Sequence, residues 1–287
     1  MTTGSFEARP TPIRIGDRSF DWGARTYVMG IVNVAPDSFS GDGIIDPARA
    51  GEQALRHVEA GADLVDIGAE STRPDHEPIE ADEEWRRLEH SLMAVRRMID
   101  VPVSVDTSKA EVAERAFHAG ADALNDVRGL RGDRDLADVL AASRKPAILM
   151  HNQRGRAFSG DVIADIEVGL TASLEVALRA GVPEDRLIVD PGFGFGFGPA
   201  QNLEMLRRLG ELRTLGRPLL IGTSRKSTIG HVLNRTANER QWGTAATLAL
   251  AVQQRADIVR VHDVEEMRQV VQVADAVVRG WDPSDPR

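Results

Sequence analysis

The 287-residue chain carries 35 basic and 44 acidic side chains, a formal charge of −9, and 42% of it is apolar. That excludes a disordered chain, and it excludes a broad nucleic-acid or membrane-surface footprint, which needs a basic face; an anionic ligand would need a local basic pocket. The chain has no cysteine, so disulfides, thiolate metal sites and cysteine nucleophiles are excluded together.

Residues 1–10 lack an apolar core segment and contain Glu7, so they read as a flexible tail and not a secretory signal. No apolar run approaches the ~20 residues that span a bilayer. A soluble cytoplasmic protein is expected, with no membrane or nucleic-acid partner. Ile13, Ile15 and Phe20 flank Gly16-Asp17, the pattern of a β-hairpin. It is expected as an N-terminal ornament in preference to a structural plug.

From residue 27 a short apolar run followed by an amphipathic stretch recurs eight times. The runs are 27–32, 63–67, 101–105, 121–124, 146–150, 186–189, 218–221 and 257–261. They are rich in Val, Ile, Leu, Ala and Met, as strands buried on both faces should be. The helical stretches are 47–60, 82–98, 109–119, 133–142, 165–180, 200–212, 239–254 and 264–278. Asp46-Pro47 is a helix start, and Gly61, Gly120 and Gly181 stand where a left-handed C-cap is wanted. Eight strand–helix pairs with no dividing linker predict an α/β fold: a single (β/α)8 TIM barrel over 11–280 with an N-terminal β-hairpin, then a frayed tail at 281–287.

In such a barrel the residues just past each strand's C-terminal end face the active site. Here those positions hold Asn33, Glu70-Ser71-Thr72-Arg73-Pro74, Asp106, Asn125-Asp126, His151, Asp190-Pro191-Gly192, Thr223-Ser224-Arg225-Lys226-Ser227 and Arg260-Val261-His262-Asp263. Singly each has an ordinary structural explanation: Asp106 as a helix cap, Asn125 as a satisfied core amide, Asp190 as a turn residue, His151 as a core histidine. Together, amides and carboxylates supply the donors and acceptors that read a polar heterocycle. Arg73, Arg225, Lys226, Arg260 and His262 supply positive charge for a phosphate or carboxylate. No nucleophile–base pair stands out.

In order and spacing these motifs resemble the dihydropteroate synthase family, the folate-pathway enzymes targeted by sulfonamides. The resemblance runs from about Tyr27 to about Val278 and includes the 33–43 loop and Asp190-Pro191-Gly192-Phe193-Gly194-Phe195-Gly196. It implies a transferase, expected as a homodimer, that condenses 6-hydroxymethyl-7,8-dihydropterin pyrophosphate with p-aminobenzoate, with Mg2+ assisting. By position it implies that Asp106, Asn125, Met150, Asp190, Phe195 and Lys226 hold the pterin. Asn33, Arg260 and His262 would hold the pyrophosphate, Asn33 also through the metal. Thr72, Arg73, Pro74 and Ser227 would shape the p-aminobenzoate site, and Asp42 would sit in the loop that closes over the intermediate.

The family pattern is not followed everywhere. Ala35 replaces a threonine, and Gly41-Asp42-Gly43 moves an aspartate by one place. Asp75-His76 follows Pro74, Asn152-Gln153-Arg154 follows His151, and Phe197 stands where a lysine is usual, which is expected to remove a charge from the pocket mouth. The altered first loop keeps open a pterin-binding paralogue without synthase activity. A methyltetrahydrofolate methyltransferase-like enzyme shares the Asp/Asn/Asp set but does not need the basic clusters.

Overall fold

A computed structural model describes residues 9–35, 46–71 and 77–283. Two short strands, β1 (Ile13–Ile15) and β2 (Arg18–Phe20), precede eight more: β3 (Tyr27–Asn33), β4 (Leu64–Gly68), β5 (Val103–Asp106), β6 (Ala123–Asp126), β7 (Ala147–Met150), β8 (Leu187–Asp190), β9 (Leu220–Ile221) and β10 (Ile258–Val261). These eight form one parallel sheet in the order β8-β7-β6-β5-β4-β3-β10-β9. A parallel bridge between Val189 and Leu219 joins its two ends, with the Val189 N–H donating to the Pro218 carbonyl at 2.9 Å. The predicted (β/α)8 barrel is thus present and nearly closed.

The helices between strands are α1 (Pro47–Glu59), α2 (Ala81–Met98), α3 (Ala110–His118), α4 (Leu136–Ser143), α5 (Val162–Arg179), α6 (Pro199–Arg207), α8 (Gln241–Gln253) and α9 (Val264–Arg279), with a short extra helix α7 (Ser227–Leu233) after β9. Their starts follow local chemistry. The Asp46 carboxylate accepts from Ala48 N–H at 3.0 Å, with Pro47 opening α1. Asp161 caps α5 by accepting from Ile163 and Ala164 N–H at 2.8 and 3.2 Å. The helix therefore begins three residues before its predicted start at Asp165. Gly61, Gly120 and Gly181 do adopt positive φ beyond their helices. No helix among the described residues is long and apolar enough to cross a membrane.

Strand periodicity divides the side chains between two environments. Outward residues such as Val32, Val65, Val105 and Leu149 pack under the helices in one cluster, and Val28, Val189, Ile221 and Val259 in a second. Inward residues change character along the barrel axis. At the N-terminal end Met29, Leu64, Ala123, Ile148, Ile188, Leu220 and Ile258 form an apolar floor. Two residues further along each strand the inward set becomes Ile31, Asp66, Asn125, Met150, Asp190, Gly222 and Arg260.

The hairpin corrects the expectation of an ornament. Ile13, Ile15, Phe20 and Trp22 are buried in the same cluster as the floor. The Phe20, Trp22 and Tyr27 rings lie 4.7 to 5.7 Å apart between centroids. These side chains pack directly on the floor, so β1–β2 close the N-terminal end of the barrel, and the hairpin is a plug.

Several strands run further than predicted. Asn33, Asp106, Asp126 and Asp190 are the last residues of their strands and not the first of their loops. In sequence an apolar run stops at the first polar side chain, but the ladder continues because the neighbouring strands carry compatible residues at that level. Asn33 pairs with Gly68, Gly68 with Asp106, and Asp106 with Asn125.

Candidate active site

That register row places functional side chains side by side at the C-terminal rim. A pocket of about 140 Å³ opens there, against the ~15 Å³ needed to hold one water. Asn33, Asp106, Asn125, Met150, Asp190, Phe195, Lys226, Ser227, Arg260 and His262 all line it. These residues come from six strands, three loops and the first turn of α7, yet border one space. The remaining candidates, Asp42, Thr72, Arg73 and Pro74, lie outside the described residues, as do Asp75 and His76.

Glycine makes room at the rim. A Cβ on Gly68 would stand 3.1 Å from the Asp106 Cβ, so a side chain there would push Asp106 from its position. Asp106 does not cap a helix. It accepts from Arg260 Nη2 at 3.2 Å, and burial, reinforced by the Asp66 carboxylate and opposed by Arg260, pushes its carboxyl up to about 8. Arg260 also donates from Nε to Asp66 at 2.7 Å. Burial pulls its guanidinium down, but Asp66 and Asp106 more than offset this and the net shift is upward.

Across the pocket, Asp190 combines its two readings. One carboxylate oxygen accepts from Gly192 N–H at 2.7 Å, a turn bond, while the residue lines the pocket. Burial raises its pKa against the pull of Lys226. Lys226 is pulled down to about 8, first by burial, with Asp190 acting against it. Its ammonium donates to the Phe193 carbonyl and stands 4.7 Å from the Phe195 ring centroid; the Arg154 guanidinium stands 4.8 Å from the same centroid. Phe195 is therefore an aromatic wall with two cations beside it. His262 is held through Nδ1 to Ser224 Oγ at 2.9 Å, and Ser224 Oγ also accepts from the His262 backbone N–H at 3.2 Å. Ser227 is exposed at the first position of α7 and borders the pocket.

Two residues, Arg225 and Phe197, behave otherwise than expected. Arg225 spends its guanidinium on Asp263, Nε to Oδ2 at 3.1 Å with Nη2 to Oδ1, so it is not an anion ligand of this pocket. Phe197 is buried, with its ring stacked on His151 at 5.9 Å and edge-on to Phe158. The position is thus inside the packing and not at the pocket mouth. His151 keeps its ordinary structural reading: it is buried, bonded through Nε2 to Gln153 at 2.9 Å, and burial depresses its pKa to about 4. Asp126 faces the opposite way from Asn125 and shapes the loop after β6, accepting from Ser108 Oγ at 2.5 Å and from Arg128 and Leu130 N–H at 2.8 and 2.6 Å.

Asp66 escaped the reading of the sequence, which counted it within an apolar run. Its carboxylate is fully buried and accepts from Ser104 Oγ at 2.5 Å, Asn125 Nδ2 at 2.9 Å and Arg260 Nε at 2.7 Å. The signal was available: an acid alternating with Leu64 and Gly68 on one face of a buried strand must be paired. Arg154 and Ser224 were likewise visible in the sequence, but no role was assigned to them.

The fold and the pocket define a barrel enzyme that reads a polar heterocycle and holds an anion beside it. Residues 29–262 match the model of the pterin binding enzymes. The chain is 44% identical to the dihydropteroate synthase of Synechocystis sp., over 94% of this chain and 96% of that one. The dihydropteroate synthase of Yersinia pestis, solved with a sulfonamide drug, superposes with a TM-score of 0.89 at 37% identity, covering 94% of this chain and 100% of that one. The Xanthomonas albilineans dihydropteroate synthase, solved with 7,8-dihydropteroate, gives 0.83 at 38% identity over 93% and 98%. The chain belongs to the pterin binding enzymes, in their dihydropteroate synthase branch.

Proposed function

We propose that this barrel joins 6-hydroxymethyl-7,8-dihydropterin pyrophosphate to p-aminobenzoate, forming 7,8-dihydropteroate and pyrophosphate. The observation that carries the reading is that one pocket holds both the acceptor set of Asn125 and Asp190 and the cationic set of Lys226, Arg260 and His262. The Xanthomonas relative's complex with 7,8-dihydropteroate supports the product class.

In this reading Asp190 accepts from the two N–H groups on the amino-pyrimidine edge, a pairing suited to a carboxylate. Met150 and Phe195 pack against the ring, and Asp106, Asn125 and Lys226 complete its polar contacts. Arg260, His262 and Asn33 take the pyrophosphate. The C–O bond breaks with its electron pair leaving on pyrophosphate; the aniline nitrogen forms the new C–N bond and loses a proton. The protein supplies position and charge, not a nucleophile. Ser227, with Thr72, Arg73 and Pro74, is proposed to take p-aminobenzoate, and Asp42 to act on the intermediate.

Among the described residues no group of three or more His, Cys, Asp or Glu side chains is placed to hold a metal ion. Mg2+ carried on substrate phosphates keeps several waters and takes only one or two protein ligands, so it does not need such a cluster. Asn33, at the pocket end of β3, would be one of them; the ion when bound neutralises the departing pyrophosphate. The chain is further proposed to act in the cytoplasm and as a homodimer. The exposed apolar side chains Val232, Trp242, Leu250, Val273 and Val277 on the consecutive helices α7, α8 and α9 support self-association.

The test is pyrophosphate release by purified protein with Mg2+ and the dihydropterin pyrophosphate, with and without p-aminobenzoate, the product being identified by mass. Release that depends on p-aminobenzoate and yields pteroate is expected. Pterin binding without pteroate would replace the synthase with a pterin-binding paralogue.

A further inference from the structure

We infer that Asp66 is a positioning residue for this reaction: it fixes the orientations in which Asn125 and Arg260 meet the pterin substrate. The inference rests on the proposed synthase reading and concerns a residue that does not itself line the pocket.

Asp66 sits in the middle of β4, inward and fully buried, one layer beneath the rim. Its three donors come from three other strands: Ser104 of β5 at 2.5 Å, Asn125 of β6 at 2.9 Å and Arg260 of β10 at 2.7 Å. An ionised carboxylate only accepts hydrogen bonds. Asn125 must therefore turn its amide nitrogen toward Asp66, and the carbonyl end, which can only accept, is left to face the pocket. The opposite amide orientation would aim oxygen at oxygen in a buried space. The choice between donor and acceptor at this point of the ligand is thus made one layer below the ligand.

The same carboxylate takes Nε of Arg260, while Asp106 takes Nη2 at 3.2 Å. Two acceptors on different strands hold the guanidinium plane, and the remaining N–H groups are aimed by that restraint. Without Asp66, Arg260 would retain Asp106 alone and could swing about that single bond. Asp66 also acts on Asp106 by charge. The groups that act on the Asp106 carboxyl are Asp66 from β4, Glu84 from α2, Asp126 from β6, Arg260 from β10 and Lys226 after β9. Of the charges Asp66 is the largest and raises the Asp106 pKa, whereas it is not among the main charges acting on Lys226.

The experiment compares wild type with Asp66→Asn and Ser104→Ala by steady-state kinetics and by calorimetric titration with dihydropterin pyrophosphate, after circular dichroism has established folding. Asp66→Asn is expected to weaken pterin pyrophosphate binding about 10- to 100-fold, because a buried donor loses its acceptor. The KM for p-aminobenzoate should stay within about twofold, as uniform binding of the second substrate is untouched. The pH midpoint belonging to Asp106 should move downward, because the carboxylate charge that raises it is gone, a shift that loss of packing alone would not produce. Folded Asp66→Asn protein with wild-type pterin affinity and an unmoved midpoint overturns the inference. If Asp66→Asn does not fold, Ser104→Ala decides: a several-fold loss of pterin affinity supports the role, and unchanged affinity refutes it. Calorimetry keeps this result separate from the synthase reading, which fails on absent wild-type turnover and not on pterin affinity.

Discussion

At the residue scale, the pocket is a balance of charges that none of its members could hold alone. Lys226 keeps an ammonium near neutral pH despite burial because Asp190 faces it. Lys226→Ala and Asp190→Asn should each cut turnover by about 10²- to 10³-fold, the usual effect of losing one preorganised charge. Steady-state rates measure this, and wild-type rates in either variant would remove the residue from the site. Asp106 gives a pH prediction. Its folded pKa of about 8 lies above the ordinary ~3.9, so between those values the folded state binds the proton and the unfolded state does not. Its contribution to stability is therefore present at low pH and lost as pH rises toward 8. Thermal unfolding of wild type and Asp106→Asn should show the variant gaining on wild type between pH 5 and pH 8; a constant difference would contradict the raised pKa.

At the scale of elements, the hairpin and the rim do different work at opposite ends of the barrel. Ile15 and Phe20 are buried against the floor formed by Met29, Leu64 and Ile188. Phe20→Ala should cost about 3 to 5 kcal/mol in denaturant unfolding, while the substrate KM values stay unchanged because the cavity opens away from the pocket. A KM shift equal to the loss of stability would show that plug and rim are coupled. Helix α5 offers a smaller test: Asp161→Ala removes the cap on Ile163 and Ala164 and should cost about 1 kcal/mol. The hairpin pattern was legible in Ile13, Ile15 and Phe20, but its destination was not, since alternation shows that one face is buried without showing against what.

At the scale of the whole molecule, the barrel joins Asp66 and Arg260, 194 positions apart, in one electrostatic unit. The outer surface has its own prediction. Trp242 and Val277 are 83% and 81% exposed, so the proposed homodimer should be weakened by Trp242→Asp combined with Val277→Asp. Sedimentation would then show monomer where wild type shows dimer; a monomeric wild type would remove the homodimer proposal.

Much of the barrel and its pocket was already determined by the sequence alone. Eight apolar runs alternating with amphipathic stretches require a parallel sheet covered by helices, and polar residues ending those runs must collect at one rim. Both follow from local periodicity and burial, which the chain carries residue by residue. Only the tertiary structure decided which charges meet. Arg225 and Arg260 look alike in sequence, yet one is spent on Asp263 and the other is aimed by Asp66 and Asp106. Phe197 reads as a lost charge but fills the space over His151, and Asp66 reads as part of an apolar run but holds three strands' donors together. Pairing depends on register between distant strands and on the direction of each side chain, and neither exists until the sheet has closed.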